Sequence, residues 1–282
     1  MDEEFVIQFV SGAREHAPCL GGNKLWHMYR KHFEGNRLVG RDRFEYILDK
    51  HNLKVRKKKR KPRTTDSRHG LPTYPNQAKS YILTQANRFW VSDITYIPIH
   101  VNESKHIFCY LSLILDVYSR EIVGAVGETL ETGHCIHALR MALKRVDDTS
   151  GKELIHHSDR GCQYASKEYT SPLREYGITI SMTEDGNPKD NAQAERINNT
   201  LKNELLRGKS FCDIKEVREA VEKAVLFYNT ERPHMSINMM TPQEAATHTG
   251  EINKGWTSYR DIAIKNLQTE NIITNKCLSL RA

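Results

Sequence analysis

The chain has 282 residues, 38% hydrophobic and 27% charged, with 42 Lys and Arg against 35 Asp and Glu. That length suits about two domains and a sizeable core, and no run approaches the ~20 apolar residues of a membrane-spanning helix. Six scattered cysteines without a CxxC pair exclude a disulfide framework or zinc ribbon, and the acidic opening MDEEFVIQFV lacks the basic region of a signal peptide.

Residues 1–53 read as three short amphipathic helices separated by glycines, over 4–16, 24–33 and 42–52, with apolar residues recurring at i, i+3 and i+4. Three such helices suit a helix-turn-helix unit, with a helical packing subdomain as the alternative. The net charge of +7 sits in one place: residues 54–63, KVRKKKRKPR, hold eight cations and no acid, which leaves the 219 residues that follow at a net −1. Such a tract cannot be buried, and it attracts a polyanion without reading its sequence. With prolines at 62, 72 and 75, residues 54–84 read as a linker.

From residue 85 the pattern turns to strands. Residues 88–99 alternate, 107–117 are a near-continuous apolar run, and 121–126 follow a tight turn at Tyr118-Ser119-Arg120, so a hairpin is expected. Next come a helix from 132 to about 146, a strand at 154–157, a helix from Ser166 to about 176, and a strand at 178–182. A Gly-Asn-Pro turn at 186–188 leads to long helices at 190–207 and 213–229. Three meandering strands followed by two strand–helix units predict an α/β fold, a mixed sheet with helices on both faces, spanning 85–247 and leaving 248–282 as a tail.

Strand interiors are depleted in Asp, yet Asp93 lies mid-strand in Trp90–Ile97 and Asp159 closes the strand that holds His156 and His157. Strand carboxyl ends collect ligands in α/β sheets, so neighbouring strands would bring these carboxylates together. On the helix from 190, Asp190 and Gln193 fit a capping box, while Asn191, Glu195, Asn198 and Lys202 share a face beside an apolar stripe of Ala194, Ile197, Leu201 and Leu205. Asp116 competes as a functional acid, but its place before Tyr118-Ser119-Arg120 favours a turn role. Thirty-five residues separate Asp159 from Glu195.

With that spacing, the segments WVSDITYI, LDVYSREIVG, HHSDRGCQYAS, SMTEDGNPKDNAQAERINNTLKNEL and YNTERPH…TP resemble the DDE transposase and retroviral integrase superfamily, and more closely the OrfB transposases of the IS-three insertion-sequence family. The resemblance covers about 85% of the chain; Cys162 stands where Ser is usual. It implies a ribonuclease-H-like core with flanking helices, preceded by a small all-α helix-turn-helix-like domain and a basic linker. It also implies that Asp93, Asp159 and Glu195 are catalytic and bind two Mg²⁺, with Mn²⁺ as a substitute, for in-line phosphodiester chemistry. Lys202 is then expected to meet DNA phosphate or terminal bases, with Asn191, Asn198 and the basic residues Arg56, Lys57, Lys58, Lys59, Arg60 and Lys61 as further DNA contacts. His234 is expected to pack behind the active-site helix. Zinc at His16, His27, His32 and His51 lacks the cysteine pair that a complete ligand set needs.

The implied activity is cleavage at transposon ends and joining of the 3′-OH to target DNA by transesterification. The implied partners are double-stranded DNA (terminal inverted repeats and target), further copies of the chain, and an OrfA partner or an OrfAB fusion, since the chain begins where OrfB would. The expected location is the bacterial cytoplasm, on the nucleoid. A domesticated, non-catalytic DNA-binding regulator and a ribonuclease-H-type nuclease are the alternatives; the intact acids oppose the first, and the basic arm and acid spacing oppose the second.

Overall fold

A computed structural model describes residues 2–33, 39–55, 71–78, 82–102, 105–128, 132–146, 153–184 and 191–253, with positions 256, 262 and 266 beyond. The basic cluster 56–61, the 186–188 turn, Asp190 and most of the chain after 253 lie outside the described residues.

Five strands form one sheet: β1 (Phe89–Asn102), β2 (Lys105–Asp116), β3 (Ile122–Glu128), β4 (Ile155–Ser158) and β5 (Thr179–Met182), in the order β3-β2-β1-β4-β5. The first three are antiparallel; β4 runs parallel to β1, and β5 parallel to β4. This is the mixed sheet of the ribonuclease-H-like expectation. Alternation along β1 and β2 divides their side chains between two cores. Val91, Ile97, Leu111, Leu113 and Leu115 face one side. Trp90 and Ile114 face the other. The unbroken apolar run of β2 follows, because both faces of that strand are covered.

On the Trp90 face lie α4 (Thr132–Leu143), the short α5 (Cys162–Ala165) and α6 (Lys167–Glu175). Gly124 makes the seating of α4 possible, since a Cβ there would come within 2.2 Å of the Ala138 carbonyl oxygen. Ser166 caps α6, its hydroxyl accepting from the Tyr169 N–H at 3.2 Å.

The opposite face carries α7 (Ala192–Thr200) and α8 (Ile214–Thr230), with α9 (Pro242–Ala246) following under a capping box from Thr241 and Glu244. The long helix expected over 190–207 runs without a break over the described residues 192–205 but changes its winding. After Thr200 the backbone widens into a π-turn, Leu201–Leu205, marked by the Leu206 N–H donating to the Leu201 carbonyl at 2.8 Å. Leu201 and Leu205 stay fully buried while Glu204 meets cations from two other segments.

The N-terminal helices α1 (Asp2–His16), α2 (Gly22–His32) and α3 (Arg41–Lys50) form as the periodicity predicts. Their apolar residues Val6, Val10, Leu25 and Phe44 belong to the same core as Leu201, Leu205 and Phe227. Residues 71–78 have no regular structure but lie against the β5 side of the sheet: the Gln77 N–H donates to Ser181 Oγ at 2.8 Å, and Arg174 donates to the Tyr74 hydroxyl at 2.7 Å. Past α9 the chain returns to the segment before β1, where Gln85 pairs with Thr249 and the Gly250 N–H donates to the Thr84 carbonyl. Among the described residues no helix is long and apolar enough to cross a membrane.

Candidate active site

The parallel pairing of β1 with β4 sets Phe89 against Ile155, Trp90 against His156 and Val91 against His157. The same 66-residue offset separates Asp93 from Asp159, two residues beyond the last paired position. Asp93 is 4% exposed, within the strand. Asp159 is half-buried just past the carboxyl end of β4. A buried carboxylate needs donors, and Asn198 supplies one, its Nδ2 donating to Asp93 Oδ2 at 2.7 Å. Asp159 Oδ1 accepts the Gly161 N–H at 3.0 Å. A Cβ at position 161 would stand 3.0 Å from the same oxygen, a tight contact.

Tyr164 on α5 is buried in the core on the Trp90 face. Burial first, then Cys135 and Tyr169, then the charges of Asp93 and Asp159 push its phenol well above the usual range.

Helix α7 lies along β1. Asn191 Nδ2 donates to the Ser92 carbonyl at 2.9 Å, Asn198 bonds Asp93, and Lys202 Nζ donates to Thr95 Oγ1 at 3.2 Å. Glu195 occupies the same face, one turn before Asn198, and is half-buried. The face read from the sequence is therefore the face that meets the strand. Arg120, at φ +68° in the β2–β3 turn, donates to Gln193 and ties the start of α7 to that turn. Among the described residues, however, no three His, Cys, Asp or Glu side chains stand close enough together to hold a metal ion.

Asn191 and Asn198 are 7% and 6% exposed. Both amides face β1, that of Asn198 toward the Asp93 carboxylate and that of Asn191 toward the Ser92 carbonyl. Lys202 is only partly directed outward, its ammonium also resting 4.1 Å from the Tyr96 ring centroid. The cations Arg56 to Lys61 lie outside the described residues.

His156 and His157 are buried and structural. His156 Nε2 shares hydrogen bonds with Ser92 Oγ at 2.7 Å and the Tyr169 hydroxyl at 3.0 Å. Burial, with His157 adding, pushes its pKa down to about 3. His157 Nδ1 pairs with Ser181 Oγ at 2.8 Å. Asp116 fills the turn role, accepting from the Ser119 N–H and hydroxyl and from the Asn87 N–H.

Two family models, both described as "Integrase core domain", match residues 84–188 and 176–242. The "Insertion element IS600 uncharacterized 31 kDa protein" of Shigella sonnei is 36% identical over 215 residues, 74% of this chain and 75% of that protein. The chain belongs to the integrase-core transposases of insertion elements. The "Transposase for insertion sequence element IS904" of Lactococcus lactis is 36% identical over 57% of this chain and 62% of its own length. The "Transposase for insertion sequence element IS629" of Shigella sonnei is 33% identical over 66% of this chain and 60% of its own. The chain thus spans about three fifths of these two relatives. The HTLV-2 integrase catalytic core domain solved in complex with magnesium overlaps 57% of this chain and 97% of its own, at 18% identity and a TM-score of 0.41.

Within this transposase, three residues of the quoted motifs do more than the sequence reading assigned. Glu204 on the π-turn accepts from Arg232 at 2.6 and 3.1 Å and from Lys24 of α2 at 3.0 Å. Burial works to raise the Glu204 pKa, but Arg232 and Lys24 hold it below the usual carboxylate range. Asn229 clasps both backbone groups of Ile122 at 3.0 Å, substituting for a further strand at the sheet edge. His234 stacks edge-on to Tyr228 at 4.8 Å and contacts Arg232. The signal was present in YNTERPH, where an Asn and an Arg precede the histidine, but nothing local pointed to partners 28 and 107 residues away.

Proposed function

We propose that this chain is the catalytic subunit of an insertion-sequence DDE transposase, of the OrfB type of the IS-three family, acting on transposon ends and target DNA. The observation that supports the reading is the β1–β4 pairing, whose 66-residue offset is also that between Asp93 and Asp159, together with the Asn198–Asp93 bond that sets the helix of Glu195 beside β1. The donor set suits a hard cation such as Mg²⁺, and the buried Asn198 Oδ1, which has no hydrogen-bond partner, adds an oxygen beside Asp93. Asp93, Asp159 and Glu195 would hold two Mg²⁺, with Mn²⁺ as a substitute. When bound, the metals would activate the attacking oxygen and neutralise the leaving one.

The remaining work falls to the chain itself. Asn198 fixes the Asp93 carboxylate, Gly161 fixes Asp159, and Asn191 pins α7 to the Ser92 carbonyl. Lys202 stands two helical turns beyond Glu195, where a phosphate near the cleaved bond would meet its charge. The 3′-OH of one strand then attacks a target phosphodiester in line, forming one P–O bond as another breaks. A core of net −1 holds a polyanion only if cations come from elsewhere, and residues 56–61 supply six. The finer reading includes terminal inverted repeats as substrate, several copies of the chain on DNA, an OrfA partner, and a location on the bacterial nucleoid.

The test incubates the full chain with Mg²⁺ or Mn²⁺ and oligonucleotides ending in the element's terminal repeats, with and without OrfA. Strand-joined products that disappear in Asp159→Asn support the reading. Binding without cleavage under both conditions would favour a DNA-binding regulator, and cutting confined to RNA–DNA hybrids a nuclease.

A further inference from the structure

Beyond Asp93, β1 runs past the cover of α4 to α6, and the face it shares with Trp90 and Ile114 opens to solvent. Tyr96 and Phe108 stand there 53% and 46% exposed. Tyr96 pairs in register with Tyr110 and Pro98 with Phe108, so the three aromatic side chains share that face. The Tyr96 and Phe108 rings meet at 78°, centroids 5.2 Å apart, forming an open corner between two flat apolar plates. Lys202 closes one side, its ammonium 4.1 Å from the Tyr96 centroid and bonded to Thr95 Oγ1.

Exposed aromatic side chains on a strand otherwise buried from Phe89 to Asp93 call for a ligand, since solvent exposure of such area is unfavourable. An aliphatic protein partner is not what two crossed rings and a cation best accommodate. Planar π-faces beside an ammonium suit an unpaired nucleobase with its phosphate. We infer that Tyr96 and Phe108 form a stacking platform for an unpaired base of the DNA end, with Lys202 holding the adjoining phosphate. This inference rests on the proposed function and names a subsite within it.

Tyr96 lies three residues past Asp93, about 10 Å along the strand, and alternation puts its ring on the opposite sheet face from the Asp93 carboxylate. A DNA strand that reaches both must turn around the β1 edge, where Lys202 meets Thr95 and the Tyr96 ring. At ~3.4 Å per stacked nucleotide the base engaged lies at least about three nucleotides from the phosphate being cut, and its duplex must fray to deliver it.

The test uses full-length protein and a mixed-sequence duplex ending in a short unpaired 3′ extension, with 2-aminopurine at successive positions, and the blunt duplex as control. Stacking is expected to quench 2-aminopurine fluorescence at one or two adjacent positions only. Tyr96→Ala and Phe108→Ala should each abolish the quench and weaken binding of the extended duplex about 10-fold, the loss typical of one stacked base. Tyr96→Phe should retain both, and blunt-duplex affinity should change less than about twofold. Equal weakening on blunt and extended duplexes, or wild-type quenching in both alanine variants, overturns the proposal. So does a change in oligomeric state with the quench intact, which would make this face a contact between copies. Wild-type protein that quenches the base yet joins no strands would sink the transposase reading while leaving the platform standing; the reverse result spares the enzyme and removes the platform.

Discussion

Replacing Arg232 by Met should cost this protein about 3 kcal/mol. Arg232 is 4% exposed, and its guanidinium grips Glu204 Oε1 at 2.6 Å and Oε2 at 3.1 Å. At an effective dielectric of ~20, unit charges ~3 Å apart attract by about 5 kcal/mol, most of it offset by desolvation. Removing one partner, by contrast, leaves the other charge buried and costs about 3–5 kcal/mol. Lys24 remains 3.0 Å from Glu204, which favours the lower end. Methionine conserves most of the volume, so the loss reports charge rather than a cavity. In urea titrations the midpoint should fall with little change in slope, and the thermal midpoint by roughly 6 °C or more. The triple variant Lys24→Met, Glu204→Leu, Arg232→Met should recover most of the loss, because no charge is left stranded. The sign with pH follows: Glu204 is held below its ordinary 4.5, so its contribution is present above that value and disappears as pH falls through the lowered one. The gap between wild type and Arg232→Met should therefore narrow in acid. A single variant within about 0.5 kcal/mol of wild type, or a triple variant worse than the single, refutes the reasoning.

Three further outcomes are expected. Asn198→Leu removes the donor to buried Asp93 and should lower stability by about 1.5–3 kcal/mol in urea titrations, while strand joining falls far more than duplex binding measured by anisotropy. His156 stays neutral in the folded protein down to about 3, so stability should fall as pH drops from its ordinary 6.5 toward that value; the slope reaches ~1.4 kcal/mol per pH unit, and titrations repeated from neutral pH downward should find it flattened in His156→Gln. Gly124→Ala should cost about 1–3 kcal/mol in thermal denaturation, since the new Cβ would meet backbone at Ala138 that cannot swing aside.

The strands, their order of appearance and both core faces were legible because alternation and apolar runs are local signals. Asp93 and Asp159 were legible for the opposite reason, as carboxylates that no local role explains. Their 66-residue separation equals the offset of the β1–β4 pairing, which only the fold makes visible. Helical periodicity found the face of Asn191, Glu195, Asn198 and Lys202. It did not say that this face would be pressed on β1, where both asparagines make strand contacts. The π-turn escaped because a uniform angle per residue cannot signal one extra residue in a turn. Nothing local marks Glu204 as buried; its burial depends on Arg232 and Lys24, 28 residues ahead and 180 behind. Tyr96 and Phe108 were read as strand formers, and only the end of helical cover on that face leaves them exposed.

The most direct test of the account is Mn²⁺ binding to the full chain, followed by the loss of free-ion paramagnetic resonance signal. The account predicts saturable binding in wild type, weakened at least about tenfold in Asp93→Asn, Asp159→Asn and Glu195→Gln, with the circular dichroism spectrum of each variant unchanged. Asp116→Asn, whose carboxylate serves the β2–β3 turn, should bind as wild type wherever it folds. Wild-type affinity in both Asp93→Asn and Asp159→Asn would contradict the assignment of these carboxylates to a metal-dependent active site.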